Sequence, residues 1–162
     1  MNDLRRPSGG AEETMKILLA IDGSKFSEWA VHAVMAQTKP NHSDVRILHV
    51  IEPIPEYADS LSWGYGLQSA NVLQEEREQA QGLVAEAAHK LRDAGFQVET
   101  EIEVGDAKAV IVDAAAKWPA DLIVLGSHGR KGLERFLMGS VSEAVARHAP
   151  CSVQIVRSRA RA

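Results

Sequence analysis

The chain has little cysteine, no long hydrophobic run and no excess of basic residues. Cys151 is the only cysteine, so no disulfide can form within the chain, and a reducing compartment, the cytoplasm, is expected. No apolar run approaches the roughly 18 residues of a membrane span, so a membrane is not an expected partner. Lys and Arg number 18 against 22 Asp and Glu, a formal net charge of −4. Nucleic-acid binding needs clustered basic residues and is likewise not expected.

Length and composition indicate one compact domain. A chain of 162 residues with 45% hydrophobic and 25% charged residues can bury a sizeable core and is ordinary for a soluble globular protein. Residues 1–14 are polar, contain Pro7 and lack the apolar stretch of a secretory signal, so a flexible N-terminal tail is expected. The domain is expected over residues 15–157, with a C-terminal tail at 158–162.

Apolar segments of strand length alternate with segments of helical periodicity. This alternation is typical of an α/β domain with a parallel sheet and helices on both faces, a three-layer sandwich. The five strands are expected at Lys16–Ile21, Val45–Ile51, Phe96–Val104, Leu122–Leu125 and Ser152–Val156.

Four helices are predicted between the strands. An apolar stripe over residues 73–91 predicts the second helix, ending at Gly95. Asp106 is expected to cap the third helix, and the fourth is expected to begin near Ser140. Pro53–Ala70, which contains Trp63 and Tyr65, is long for a loop in a compact domain, so we interpret it as a candidate lid or interaction loop.

The polarity of the strands predicts their order in the sheet. The first strand from Ile17 onward and the fourth strand are continuously apolar, as expected for strands buried on both faces. The third alternates with polar residues and the fifth carries Gln154, so both are expected at edges, giving the order 3-2-1-4-5. In that order the connections reverse between strands one and four, and a ligand is expected beyond their C-terminal ends, which carry Asp22 and Gly126.

A glycine-rich segment follows the fourth strand. Gly126 and Gly129 are expected to let the backbone turn and approach a ligand, and Gly139-Ser140 opens a helix whose N-terminal amides favour a phosphate. The segment is not a Walker A loop, because Lys131 is not followed by Ser or Thr. Nor is it the GxGxxG dinucleotide motif, which would follow the first strand.

The segment resembles the universal stress protein family, in its ATP-binding subtype. That subtype carries Gly, two residues, Gly, nine residues, then Gly and Ser or Thr, and positions 126, 129, 139 and 140 match it throughout. The resemblance spans roughly residues 15–157 and includes the Asp22-Gly23-Ser24 turn and the terminal Pro150-Cys151-Ser152-Val153. It implies an adenine nucleotide alpha hydrolase-like, Rossmann-like fold.

The resemblance also implies what each part of the site binds. Asp22 and the Gly126 backbone would hold the ribose hydroxyls of ATP. A divalent ion, Mg²⁺ or Mn²⁺, would be held through the phosphates with no assigned protein ligand, and a homodimer would pair its fifth strands through Val153 and Ile155. Adenine would lie near Ala20, Ile21, Val50 and Leu125, and the phosphates near His128, Gly129, Arg130, Gly139, Ser140, Val141 and Ser142.

Several of these residues also have a purely structural interpretation. Ser140 and Glu143 form the pattern of a capping box, which satisfies helix-end amides without a ligand. Asp22 can stabilise the turn into the first helix. His128 is expected to contribute its backbone more than its imidazole, and His49 can be a hydrogen-bonded core residue.

The function expected is a binding and signalling module that binds ATP with a divalent ion and reports energy or stress state. The alternative is an enzyme of the same fold, a slow ATPase or a nucleotidyl transferase. Phosphoryl transfer needs a placed base and a metal carboxylate, which the motif does not clearly offer, and the HIGH and SGGxDS signatures are absent. A receiver domain would have paired acidic residues after strand one, where Asp22 is followed by Gly and Ser.

Overall fold

A computed structural model of the protein describes residues 14–53, 65–130 and 137–157, and of residues 65–70 the backbone alone. Apart from Thr14, the two expected tails lie outside these residues, as does Trp63 of the expected lid.

Five parallel strands form one sheet in the order β3-β2-β1-β4-β5, which confirms the predicted fold and order. Each strand boundary lies within two residues of its predicted position. The elements are β1 (Met15–Ala20), α1 (Lys25–Gln37), a short 3-10 helix (Pro40–His42), β2 (Ser43–Ile51), α2 (Tyr65–Asp93), β3 (Gln97–Val104), α3 (Ala107–Lys117), β4 (Leu122–Gly126), α4 (Ser140–His148) and β5 (Ser152–Val156).

Helices cover both faces of the sheet. Alternate residues of β1 point to opposite faces. Ile17 and Leu19 pack in a core with α1 and α2, whereas Leu18 and Ala20 pack in a second core with α3 and α4. Burial on both faces explains why β4 and the Ile17–Ala20 part of β1 are continuously apolar.

The second helix begins earlier than predicted. The segment Pro53–Ala70 was expected to be entirely loop, but α2 already begins at Tyr65, so its last six residues are helical. The prediction was wrong there because residues 65–70 carry no clear apolar stripe. The helix begins about two turns before the stripe at residues 73–91 from which it was predicted.

The two edge strands differ in charge. On β3, Glu99 and Glu101 pair with Arg46 of β2, at 2.6 and 3.6 Å between nitrogen and oxygen. The Arg46 guanidinium also stacks over Trp118, 4.6 Å from the ring centroid, so it is held between the carboxylates and the indole. On β5, every residue is half-buried or exposed, and none is charged.

Cys151 is expected to react slowly with alkylating reagents. Burial raises the pKa of its thiol, and the nearby Asp121 carboxylate raises that pKa further. Because the thiolate is the nucleophile, a raised pKa leaves less reactive form at neutral pH. We expect iodoacetamide to modify the native protein several times more slowly than the urea-unfolded chain at pH 8, and Asp121→Asn to speed the native reaction. Equal native and unfolded rates would contradict this.

Candidate functional site

A cleft of about 610 Å³ opens where the chain connections diverge. From β1 the chain leads through α1 to β2, and from β4 it leads through α4 to β5, on the other side of the sheet. Such a divergence leaves a crevice at the C-terminal ends of the two strands. Its volume lies within the roughly 300–1,000 Å³ usual for small-molecule sites.

All the residues that the sequence places at the nucleotide site line this one cleft. They come from the ends of β1, β2 and β4, from the turn after β4 and from the first turn of α4. They are Ala20, Ile21, Asp22, Val50, Leu125, Gly126, His128, Gly129, Arg130, Gly139, Ser140, Val141 and Ser142.

One wall of the cleft is apolar and its backbone is already hydrogen-bonded. Ala20, Ile21 and Leu125 are each less than a tenth exposed. The Ile21 amide donates to the Leu48 carbonyl at 2.9 Å, and its carbonyl lies 2.8 Å from Nδ1 of the buried His49. This confirms the interpretation of His49 as a hydrogen-bonded core residue. The wall suits a flat apolar group such as a purine base.

The Asp22 carboxylate lies between the loops that follow β1 and β4. Its Oδ1 accepts a hydrogen bond from the Ser24 amide at 2.9 Å, which is the turn-stabilising role considered from the sequence. Its Oδ2 accepts from the Arg130 amide at 3.0 Å, across the cleft from the other loop. Each oxygen has a second lone pair, so the carboxylate can still accept from a ligand hydroxyl.

The three motif glycines are required by close packing. None of them has a positive φ, so close contacts and not a left-handed backbone call for glycine at these positions. A Cβ on Gly126 would lie 2.6 Å from the Phe26 backbone of α1, and one on Gly129 would lie 2.9 Å from the Asp22 carboxylate. A Cβ on Gly139 would lie 3.1 Å from the Ser127 carbonyl. The glycines therefore bring α1, the β4 turn and α4 together around the cleft.

The capping box that was the alternative interpretation of Ser140 does not form. Gly139 is the N-cap of α4, and Ser140 is the first helical residue, with no capping hydrogen bond from its side chain. Glu143 pairs with Arg147 at 2.8 Å instead of reaching back to the helix start. The sequence pattern of the box is out of register with the helix by one residue, because Gly139 and not Ser140 is the N-cap. The Gly139 amide donates to the Ser127 carbonyl at 2.8 Å, and this contact fixes where the helix begins.

The first turn of α4 therefore presents its amides to the cleft. No described residue accepts from the amides of Ser140, Val141 or Ser142, and all three residues line the cleft. The Ser142 hydroxyl donates to the Gly126 carbonyl at 2.9 Å, so its proton is already engaged, whereas the Ser140 side chain is exposed. Uncapped amides and the positive end of the helix dipole suit an anion.

The side chain of His128 is held by the protein. Its Nδ1 lies 3.0 Å from the Ser127 hydroxyl, and its Nε2 is hydrogen-bonded to the Leu137 carbonyl. A carbonyl only accepts, so Nε2 carries a proton and the ring joins the two ends of the loop between β4 and α4. Any ligand contact from His128 is thereby left to its backbone, in line with the sequence-based expectation.

The model of the universal stress protein family matches residues 13–157. The chain belongs to this family. A putative universal stress protein of Staphylococcus epidermidis is 36% identical over 145 residues, which cover 88% of this chain and 83% of the relative. The solved structure of universal stress protein UspA from Lactobacillus plantarum is 25% identical, with a TM-score of 0.76 and coverage of 90% of this chain and 99% of that one.

A further structure is that of a universal stress protein in complex with cAMP. It is 25% identical to this chain, with a TM-score of 0.66, and the match covers 88% of this chain and 97% of that one.

The cleft of this universal stress protein also contains residues that the sequence did not reveal. These are Glu52, which follows β2, and Glu76 and Gln79 of α2. The Glu52 carboxylate accepts from the Ala107 amide at 3.3 Å. No local motif marks these residues, and Glu76 and Gln79 come to the cleft only because α2 packs on β2 and β3.

Within residues 14–53, 65–130 and 137–157, no three His, Cys, Asp or Glu side chains come together to hold a metal ion. None of the described helices is both long and apolar enough to cross a membrane.

Proposed function

We propose that this universal stress protein binds ATP, with Mg²⁺ or Mn²⁺, in the cleft between β1 and β4, and that occupancy of the site serves stress signalling. The observation that carries the proposal is the uncapped first turn of α4 beside a buried apolar wall in one cleft. An anion-binding end and a base-sized apolar surface are the two features that a nucleotide needs. The G-x2-G-x9-G-S motif of the ATP-binding subtype supports the same ligand.

The charges of the cleft orient the nucleotide. Glu52 and Glu76 place negative charge where the end of β2 and helix α2 border the cleft, which disfavours phosphates beside them. The phosphates then lie at α4, on the amides of Ser140, Val141 and Ser142, with the Ser140 hydroxyl as a further donor. The base lies on Ala20, Ile21, Val50 and Leu125, and Asp22 and Gly126 face the ribose. The divalent ion is held through the phosphate oxygens.

Binding is better supported than rapid turnover. Enzymatic phosphoryl transfer uses a base or water-orienting group together with a metal carboxylate. Both oxygens of Asp22 accept backbone amides, and Glu143 is exposed and paired with Arg147. Slow hydrolysis remains the alternative activity of the same site.

We also propose a cytoplasmic homodimer formed through β5. Its Val153 and Ile155 are half-buried in the single chain, and the outer edge of β5 has no strand beside it among the described residues. An uncovered, uncharged edge favours pairing with another strand.

Mg-ATP is expected to stabilise the nucleotide-free protein. At 100 times its dissociation constant, a ligand that binds only the folded state adds about 2.7 kcal/mol to the free energy of unfolding. Protein stripped of co-purified nucleotide should be melted with and without millimolar Mg-ATP, and isothermal titration should give the affinity. No shift and no binding heat would refute the proposal, and rapid release of ADP would favour an enzyme.

Two serine variants separate phosphate binding from helix capping. Ser140→Ala should weaken ATP binding about tenfold, because it removes a donor to a charged group, while changing the unfolding free energy by less than about 0.5 kcal/mol. Ser24 truly caps α1, accepting from the Ser27 amide, and does not line the cleft. Ser24→Ala should do the reverse, costing about 1 kcal/mol of stability with unchanged affinity. A stability loss in Ser140→Ala would instead restore the capping interpretation.

A further inference from the structure

The two loops that border the cleft are tied together by Asp22 and Arg130. Besides the amide of Arg130 on Oδ2, its side-chain Nε donates to the main-chain carbonyl of Asp22 at 2.5 Å. The two residues are 108 positions apart in the sequence. One arginine thus makes two hydrogen bonds to one aspartate, one to its side chain and one to its backbone.

Gly23 provides the space for the arginine side chain. Its φ is +79°, a conformation that favours glycine, and a Cβ there would lie 3.2 Å from Nη2 of Arg130. The guanidinium therefore rests on the backbone of the loop after β1.

The same contact fixes the glycine turn after β4. Oδ2 of Asp22, which holds the Arg130 amide, is the atom that a Cβ on Gly129 would approach to 2.9 Å. Oδ1 of the same carboxylate holds the Ser24 amide, so the carboxylate joins both loops. The turn at 129–130 is thus held against the β1 loop before any ligand binds.

We propose that the Arg130 side chain is a positioning residue that clamps the two loops, and not a ligand of the phosphates. This inference rests on the proposed function, and it corrects the role that the family resemblance implies for this side chain. The clamp keeps the cleft in the shape that accepts a nucleotide.

The clamp and a phosphate contact predict different losses across a series of ligands. If only a tenth of the molecules keep the competent shape once the clamp is lost, the apparent dissociation constant of every ligand rises about tenfold. If the Arg130 side chain instead bound the phosphates, its removal would cost more affinity for nucleotides with more phosphates. That loss would also depend strongly on salt.

The experiment measures the dissociation constants of adenosine, AMP, ADP and Mg-ATP for the wild type, Arg130→Met and Arg130→Lys. Within each variant, the dissociation constants of all four ligands should rise by the same factor, to within about twofold. Arg92→Met is the matched control, because Arg92 also donates to a main-chain carbonyl, that of Val98 at 2.8 Å, but does not line the cleft. Its affinities should equal those of the wild type.

Hydrogen exchange of the position-130 amide tests the clamp without any nucleotide. In the ligand-free protein this amide should exchange at least about tenfold faster in Arg130→Met than in the wild type or Arg92→Met, because loss of the clamp frees the turn. A loss of affinity that grows with phosphate number, no loss for any ligand, or unchanged exchange would each overturn the inference. If the wild type bound none of the four ligands, the proposed function would fail, and the exchange rates would still decide whether the clamp exists.

Discussion

Replacing Gly126 with valine is expected to lower the free energy of unfolding by about 3 kcal/mol or more. A Cβ at this position would lie 2.6 Å from both the carbonyl carbon and the Cβ of Phe26, and 2.8 Å from the Phe26 carbonyl oxygen. Two of these atoms belong to the backbone of α1, so a side-chain rotation cannot relieve the overlap. The end of β4 and the start of α1 would have to move apart, and both border the cleft.

Gly82 offers a matched control for the addition of a Cβ to a glycine. It lies within α2, and nothing lies within 4 Å of a Cβ built on it. Gly82→Ala should stabilise the protein by about 0.5–1 kcal/mol, because alanine favours a helix. Urea unfolding of Gly126→Val, Gly126→Ala and Gly82→Ala measures all three effects. A Gly126→Val protein as stable as the wild type would show that α1 does not pack against β4 as described.

Replacing Asp22 with alanine is expected to remove both stability and ATP-dependent stabilisation. The carboxylate accepts amides from Ser24 at 2.9 Å and Arg130 at 3.0 Å, and hydrogen bonds to charged groups contribute roughly 1.5–3 kcal/mol each. Because Asp22 is half-buried, a total loss of about 2–4 kcal/mol is expected. The nucleotide would also lose the acceptor that faces its ribose.

Two further variants sharpen the Asp22 test. Asp22→Asn keeps one acceptor oxygen and turns an NH₂ group toward the second amide, so its stability should lie between those of the wild type and Asp22→Ala. Asp113→Ala removes a carboxylate from the exposed side of α3 and should leave stability and ATP binding unchanged. Urea unfolding with and without Mg-ATP reports both quantities. An undiminished ATP shift in Asp22→Ala would remove this residue from the proposed site.

The order of the strands could be predicted because burial determines strand composition. β4 and the Ile17–Ala20 part of β1 are apolar because helices cover both of their faces, whereas Gln154 and the glutamates of β3 mark the edges. The order then located the cleft, and every residue proposed for it lies there.

What could not be predicted depends on contacts between distant parts of the chain. The pattern from Ser140 to Glu143 fits a capping box locally, but the contact of Gly139 with Ser127 moves the helix start by one residue. Glu76 belongs to the cleft only through the packing of α2, and the Asp22–Arg130 contact spans most of the chain. Sequence spacing carries no direct signal for such contacts.

The unequal edges of the sheet limit how far copies of this protein can assemble. An edge strand without charge can join another chain, and an edge strand rich in charge resists doing so. Glu99, Glu101 and Glu103 place like charges along β3, while β5 carries none. If two copies pair through β5, the joined sheet ends on both sides in a β3 strand. The glutamates of that strand repel those of a β3 strand from another pair. Growth then stops at the pair, and even a concentrated solution of the protein would not polymerise into fibres through its sheet.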